Sequence, residues 1–184
     1  MATNQHEPLH DSLWERSRPV AKGYGIPAND DGMLELDAVR ARLQSAQNYW
    51  ITSVSPSGQP HAIPVWGVFL NDTLLFGGGP RTSRNLKANP RCSVHLESGN
   101  EVVIVEGTVE IVDDPDPALS HAIDDQCATK YDWRPSSEGD APVGTGWFRL
   151  QPTRIIAWTQ FPTDATRWMR TAAPGTIGQS AAAR

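Results

Sequence analysis

The sequence predicts a mainly β domain, an antiparallel barrel-like sheet carrying few helices. Three observations carry this expectation. The apolar residues change from helical spacing to strand-like runs at Tyr49. Strands then follow one another across turn signals at Pro56-Ser57-Gly58-Gln59, Asn71-Asp72 and Ser98-Gly99-Asn100. Consecutive hairpins of this kind favour antiparallel pairing, since parallel neighbours need long crossovers. A chain of 184 residues holds one such domain with a sizeable core and requires no second.

Each element has its own signal. Residues 1–30 are polar, interrupted by Pro8, Pro19, Gly23, Gly25 and Pro27, and read as a flexible arm. The domain proper is expected over 31–170. Asp31-Gly32 precedes a helix whose stripe is Leu34, Leu36, Val39 and Leu43. Tyr49–Ser55 and His61–Leu70 read as the first two strands, and Thr73–Phe76 as the third. Gly77-Gly78-Gly79-Pro80 breaks that strand and leads into a short helix, which Asn89-Pro90 stops because a residue before proline is pushed out of the helical region. Cys92–Leu96 and Val102–Val112 follow as strands, the unbroken run Val102-Val103-Ile104-Val105 implying burial on both faces. Asp113–Tyr131 reads as a helix begun by Asp114-Pro115-Asp116-Pro117, with Leu119, Ile123 and Cys127 as its apolar positions. Trp133–Gly146 is a loop rich in Pro, Ser and Gly. Two closing strands, Trp147–Leu150 and Arg154–Thr159, flank Pro152, for six or seven strands in all. Residues 171–184 are small and polar and read as a disordered tail.

One stretch reverses the local charge. The chain carries a formal charge of -5, yet between Thr73 and Leu96 there is no Asp or Glu, while Arg81, Arg84, Lys87 and Arg91 fall inside it. Glycines let a ligand approach the backbone, a helix start offers free N–H groups to anions, and Arg forms paired bonds to phosphate. The stretch therefore reads as a site for a phosphorylated ligand, in a pattern that is neither GxxxxGK[ST] nor GxGxxG. The structural alternative is a capped strand-to-helix turn with a solvated basic face.

The acidic balance argues against nucleic acid as the main partner. No run approaches the roughly 20 apolar residues that span a bilayer, and the N-terminus lacks a secretory pattern, so a cytoplasmic location is expected. Cys92 and Cys127 lack zinc-like spacing and are expected as reduced thiols; no metal set is visible.

The pieces taken together resemble a known superfamily, the pyridoxamine 5'-phosphate oxidase-like flavin and deazaflavin proteins of split β-barrel fold. They are Trp50–Val54, Gly58–Trp66, Arg84-Asn85-Leu86, Asn89-Pro90-Arg91, Val105-Glu106-Gly107, Lys130-Tyr131, the Phe148–Trp158 strand pair and Thr166-Arg167-Trp168. Pro60-His61 with Pro64-Val65-Trp66, followed by the basic turn, looks most like the branch using coenzyme F-420, an 8-hydroxy-5-deazaflavin. This resemblance implies a homodimer with the cofactor across its interface. It implies the cofactor phosphate and acidic tail near Arg81, Thr82, Ser83, Arg84 and Asn85, and the ring along Pro64, Val65 and Trp66. Met169-Arg170 stands where the family usually has Arg-Phe, so no role is carried over to that end.

The activity so implied is hydride transfer between the deazaflavin and a small conjugated organic substrate, with FMN as the alternative cofactor and a non-catalytic flavin or tetrapyrrole carrier as the alternative role. The residues supply no nucleophile–base series, so no catalytic residue is assigned. His61 reads as structural, His121 and Asp125 as a surface pair, and Trp66 and Trp147 equally as ring-stacking or core residues.

Overall fold

The computed structural model describes residues 13–137 and 146–171; the tail expected over 171–184 and the end of the Trp133–Gly146 loop lie almost wholly outside them. Nine strands and three helices follow in the order β1 (Trp14–Ser17), α1 (Leu36–Ser45), β2 (Tyr49–Val54), β3 (Pro60–Val65), β4 (Gly67–Leu70), β5 (Thr73–Phe76), α2 (Pro80–Ala88), β6 (Arg91–His95), β7 (Val102–Val112), α3 (Pro117–Tyr131), β8 (Trp147–Trp158) and β9 (Thr166–Arg170). All the pairings are antiparallel. The main path runs β1-β9-β8-β7-β6-β2-β3, and the β4–β5 hairpin joins it through β8. The sheet does not close. β5 pairs with the first part of β8 at Arg149 and Phe148, and β9 with its last part at Arg154–Ala157, which is the branching of a split barrel.

Alternation puts Tyr49, Ile51 and Ser53 of β2, Val94 of β6, Val103 and Val105 of β7, and Leu150 and Ile155 of β8 inside. Leu36, Val39 and Leu43 of α1 close this core, as their spacing predicts. Double-sided burial is found at Val102 and Val103, as expected, and more fully in the β4–β5 hairpin. Ile104 is only half-buried, whereas on β4 and β5 Phe69, Leu74 and Phe76 face the main core while Val68 and Leu75 pack with Ile123 and Cys127 of α3. The hairpin is thus the layer between barrel and helix. Its turn residues Asn71 and Asp72 have φ of 48° and 59°, the left-handed pair that a two-residue hairpin requires.

Three strand expectations change. The expected strand His61–Leu70 is two strands broken at Trp66. The two closing strands are one, β8, with an irregularity where Gly107 faces Pro152 and Thr153 is left over. A bulge tolerates a proline there because no ladder N–H is required of it. Trp14–Ser17, within the expected arm, pairs with β9. α3 begins at Pro117 behind the Asp116 carboxylate, which accepts from the Leu119 N–H at 2.9 Å. Among the described residues no helix is long and apolar enough to cross a membrane.

The β7–β8 crossing leaves no room for a side chain at Gly107, where a Cβ would lie 2.1 Å from the Gln151 carbonyl oxygen. Backbone has to move to accommodate it, so Gly107→Ala is expected to lower stability by about 3 kcal/mol, measured by urea unfolding. A loss under about 0.5 kcal/mol would show that the bulge adapts freely.

Candidate functional site

The break between β3 and β4 creates the site. Gly67 lies so close to β5 that a Cβ would stand 2.8 Å from the Leu75 carbonyl oxygen and 3.2 Å from the Tyr49 ring, so only glycine passes. Its peptide is held by the end of α3. The Tyr131 hydroxyl accepts from the Gly67 N–H at 3.0 Å and lies 2.7 Å from the Gly67 carbonyl. The Lys130 ammonium donates to the same carbonyl at 3.1 Å and to the Tyr49 hydroxyl at 3.0 Å. Tyr49 in turn donates to the Leu43 carbonyl at 2.6 Å. Burial pushes the Lys130 ammonium down to about 8 and both phenols up.

This clamp turns Trp66 outward. Its indole is 53% exposed and stacks on the Tyr131 ring, centroids 4.6 Å apart and 7° from parallel. Beside it opens a cavity of about 450 Å³, walled by Trp66, Gly67, the Gly77–Gly79 loop, Ile123, Asp124 and Cys127 of α3, and Trp133, Ser136 and Trp147. At Gly77 and Gly79 a Cβ would meet nothing within 4 Å, so the loop presents bare backbone. α2 begins directly after it, with Pro80 in its first turn, no side-chain cap at Gly79 and no acidic residue in the first turn. The helix start is therefore open to an anion.

The predicted site residues separate into groups. Trp66 lies on the cavity, and Arg81 and Arg84 stand exposed on α2 beyond the glycine loop. Thr82, Ser83 and Asn85 are buried on the inner face of that helix. Ser83 Oγ donates to the Gly78 carbonyl at 3.1 Å and Asn85 Nδ2 to Ser53 Oγ at 3.2 Å, fastening loop and helix to β2. Thr82 Oγ1 and Asn85 Oδ1 are buried without a partner. Val65 packs against the main core, and Pro64 is exposed opposite Trp50. Neither lines the cavity.

Sequence reasoning gave no role to Lys130, Asp124 or Ser136. Asp124 stands one position after Ile123 and three before Cys127, on the flank of a stripe that was legible, and that flank was the available signal. Asp125 pairs with Arg134 at 3.0 Å, and among the described residues no group of three or more potential ligands could hold a metal.

Residues 36–159 match the model of the family described as pyridoxamine 5'-phosphate oxidase. No curated protein matches the chain. Among solved structures, a conserved hypothetical protein of Mycobacterium tuberculosis superposes with a TM-score of 0.59 at 20% identity, over 71% of this chain and 88% of that one. The heme storage protein HutZ of Vibrio cholerae gives 0.54 at 18% identity, over 68% and 94%. A FAD-binding protein of Mesorhizobium loti gives 0.53 at 19%, over 75% and 96%. Likeness at these identities establishes the fold and leaves the ligand to the site.

The Lys130 clamp gives a pH test. The ammonium, ordinarily at 10.5, sits at about 8 in the fold, so between those values the unfolded chain binds more protons and stability rises with pH. Buried Cys92 and Cys127, held up at about 12 and 11, act oppositely above their ordinary value of 9.0, so the comparison must be with a variant that keeps both. Wild type is expected to gain stability relative to Lys130→Met from pH 8 to 10 in urea unfolding; a difference independent of pH would mean that the ammonium is solvated.

Proposed function

Because this chain belongs to the pyridoxamine 5'-phosphate oxidase family, we propose that it is an oxidoreductase using a deazaflavin of the coenzyme F-420 type, transferring a hydride between that cofactor and a small conjugated substrate held in the Trp66 cavity. The observation that carries this reading is one continuous surface. A flat indole and three bare glycines wall the cavity, and the glycine loop runs straight into a basic, uncapped helix start. A planar ring attached to a phosphate has that shape and charge.

The residues present fit such a group. The amides of the first turn of α2 and the exposed Arg81 and Arg84 would hold the phosphate. Trp66 and Gly77–Gly79 would lie beside the ring. When bound, a deazaflavin supplies two-electron hydride chemistry. The chain's contribution is positioning. Lys130 and Tyr131 hold the Gly67 peptide and hence the Trp66 plane, and the apolar cavity wall excludes water from the reacting face. Arg81 and Arg84 supply charge at a fixed distance along one helix turn.

Pairing of two copies belongs to the same proposal. The strand register aligns Pro64, Trp50, His95, Ile104 and Ile156 in one row across the outer sheet face, where all but the exposed Pro64 are half-buried. Trp50 and His95 stack there, 2° from parallel. Such an apolar row is suited to covering by a second copy, which would bring Pro64 into a shared site.

A tetrapyrrole carrier role, suggested by the heme storage protein of similar fold, is less well supported. Among the described residues no histidine lines the cavity, so an imidazole ligand for a heme iron is not offered there.

Titration of the purified protein with oxidised and reduced deazaflavin, and separately with FMN, is read by tryptophan fluorescence. Saturable deazaflavin binding without FMN binding is expected; FMN binding alone would transfer the proposal to a flavin enzyme. Arg84→Ala is expected to weaken cofactor binding by about 1–3 kcal/mol through one lost charged contact. Unchanged affinity would remove Arg84 from the phosphate site.

A further inference from the structure

The cavity and the basic helix beside it carry opposite charge. Among the described residues that line the cavity, Asp113 and Asp124 are acidic and none is Lys, Arg or His. Arg81 and Arg84 lie on α2, outside that wall. The remaining wall is largely apolar and includes Trp66, Trp133 and Trp147.

Asp124 is the decisive group. It is 5% exposed on α3, and the Ser136 N–H donates to its Oδ1 at 3.1 Å while the Ser136 hydroxyl donates to its Oδ2. Burial by itself would push this carboxyl up, but the two Ser136 bonds, with Arg134 and His121 nearby, hold it below the usual carboxylate range. A carboxylate has about four acceptor positions, and these two bonds leave some unfilled. The hydroxyl of Ser120, also on the wall, is already given to the Pro115 carbonyl at 3.3 Å, so it competes little for a ligand acceptor.

An ionised, fixed carboxylate in a cavity with tryptophan faces attracts a planar cation twice over, by a charge-assisted hydrogen bond and by the ring quadrupoles. It repels carboxylates and phosphates. We propose that this cavity selects a planar ligand bearing a cationic nitrogen group, with Asp124 as the specificity-determining acceptor. As a statement about substrate it rests on the function proposed above; as a statement about ligand charge it is tested without any cofactor.

Benzamidinium, benzamide and benzoate share one shape and differ in charge. Each is titrated into the cofactor-free protein at pH 7 and followed by tryptophan fluorescence. Benzamidinium is expected to bind roughly tenfold or more tighter than benzoate, the worth of one charge-assisted hydrogen bond. Asp124→Asn, whose amide can still bond Ser136, is expected to bring that ratio close to one, while Asp113→Asn keeps most of it. Gly79→Phe, at a wall position with open space for a side chain, is expected to weaken benzamidinium severalfold without touching the core.

Benzoate binding as tightly as benzamidinium in the wild type would overturn the inference whether or not Asp124→Asn folds. So would an unchanged ratio in folded Asp124→Asn, or unchanged benzamidinium affinity in Gly79→Phe. Deazaflavin binding without charge preference would sink this inference alone. Charge preference with neither deazaflavin nor FMN bound would support it and sink the redox reading.

Discussion

The hold of Lys130 and Tyr131 on the Gly67 peptide is the constraint on which the rest depends. A strand that continued past Val65 would extend the edge made by β3. Instead the chain crosses at Gly67, within 2.8 Å of β5 by the measure of an added Cβ, and continues as β4 against that strand. The crossing leaves backbone groups of the buried Gly67 in need of partners, and α3 supplies them from its last turn. Three consequences follow from this one residue. The sheet divides, α3 is tied to the hairpin it covers, and Trp66 is left outside the ladder with a ring beneath it.

The same division separates two chemistries. On one side of the glycine loop, α2 turns Thr82, Ser83 and Asn85 inward to fasten itself and leaves its arginines in water. On the other, α3 and the Ser136 turn form an apolar wall that contains fixed negative charge. Gly77–Gly79 lies between them without side chains that could screen either field. A ligand lying across the loop would have its anionic part at the helix and its uncharged ring by the tryptophan. The acidic wall then bears on whatever meets that ring. The Asp124 carboxylate is nearly buried and so is screened little, whereas the arginines act through solvent and lose strength with salt.

How much of this was legible depends on the range of the interactions. The hairpin turn at Asn71-Asp72, the stripe on α1 and the stop at Asn89-Pro90 are set by neighbours in sequence, and all were readable. The break at Trp66 was not, because its causes are Leu75, Tyr49 and Tyr131, which reach Gly67 only in the folded chain. The joining of two expected strands into β8 likewise depends on Gly107 from β7. Pro152 looked like an interruption, but a bulge opposite a residue without a side chain absorbs it. For the site, the basic turn was visible as a local reversal of charge. Which of its residues face inward was not, since the sequence of a short helix does not say which side meets β2.

The two buried oxygens without partners, Thr82 Oγ1 and Asn85 Oδ1, sharpen what α2 is for. Each unpaired buried oxygen costs on the order of 1–3 kcal/mol, a penalty that an apolar residue of similar volume would remove. Both lie on the inner face of the helix that starts from the glycine loop, and Thr82 packs directly beneath Gly78, where an added Cβ would stand 3.1 Å from its methyl carbon. A helix that only covered a sheet would be better served by Val and Leu. What holds the loop and helix start in place is the pair of bonds that do form, Ser83 Oγ to the Gly78 carbonyl and Asn85 Nδ2 to Ser53 Oγ, and an apolar residue at either position would lose them.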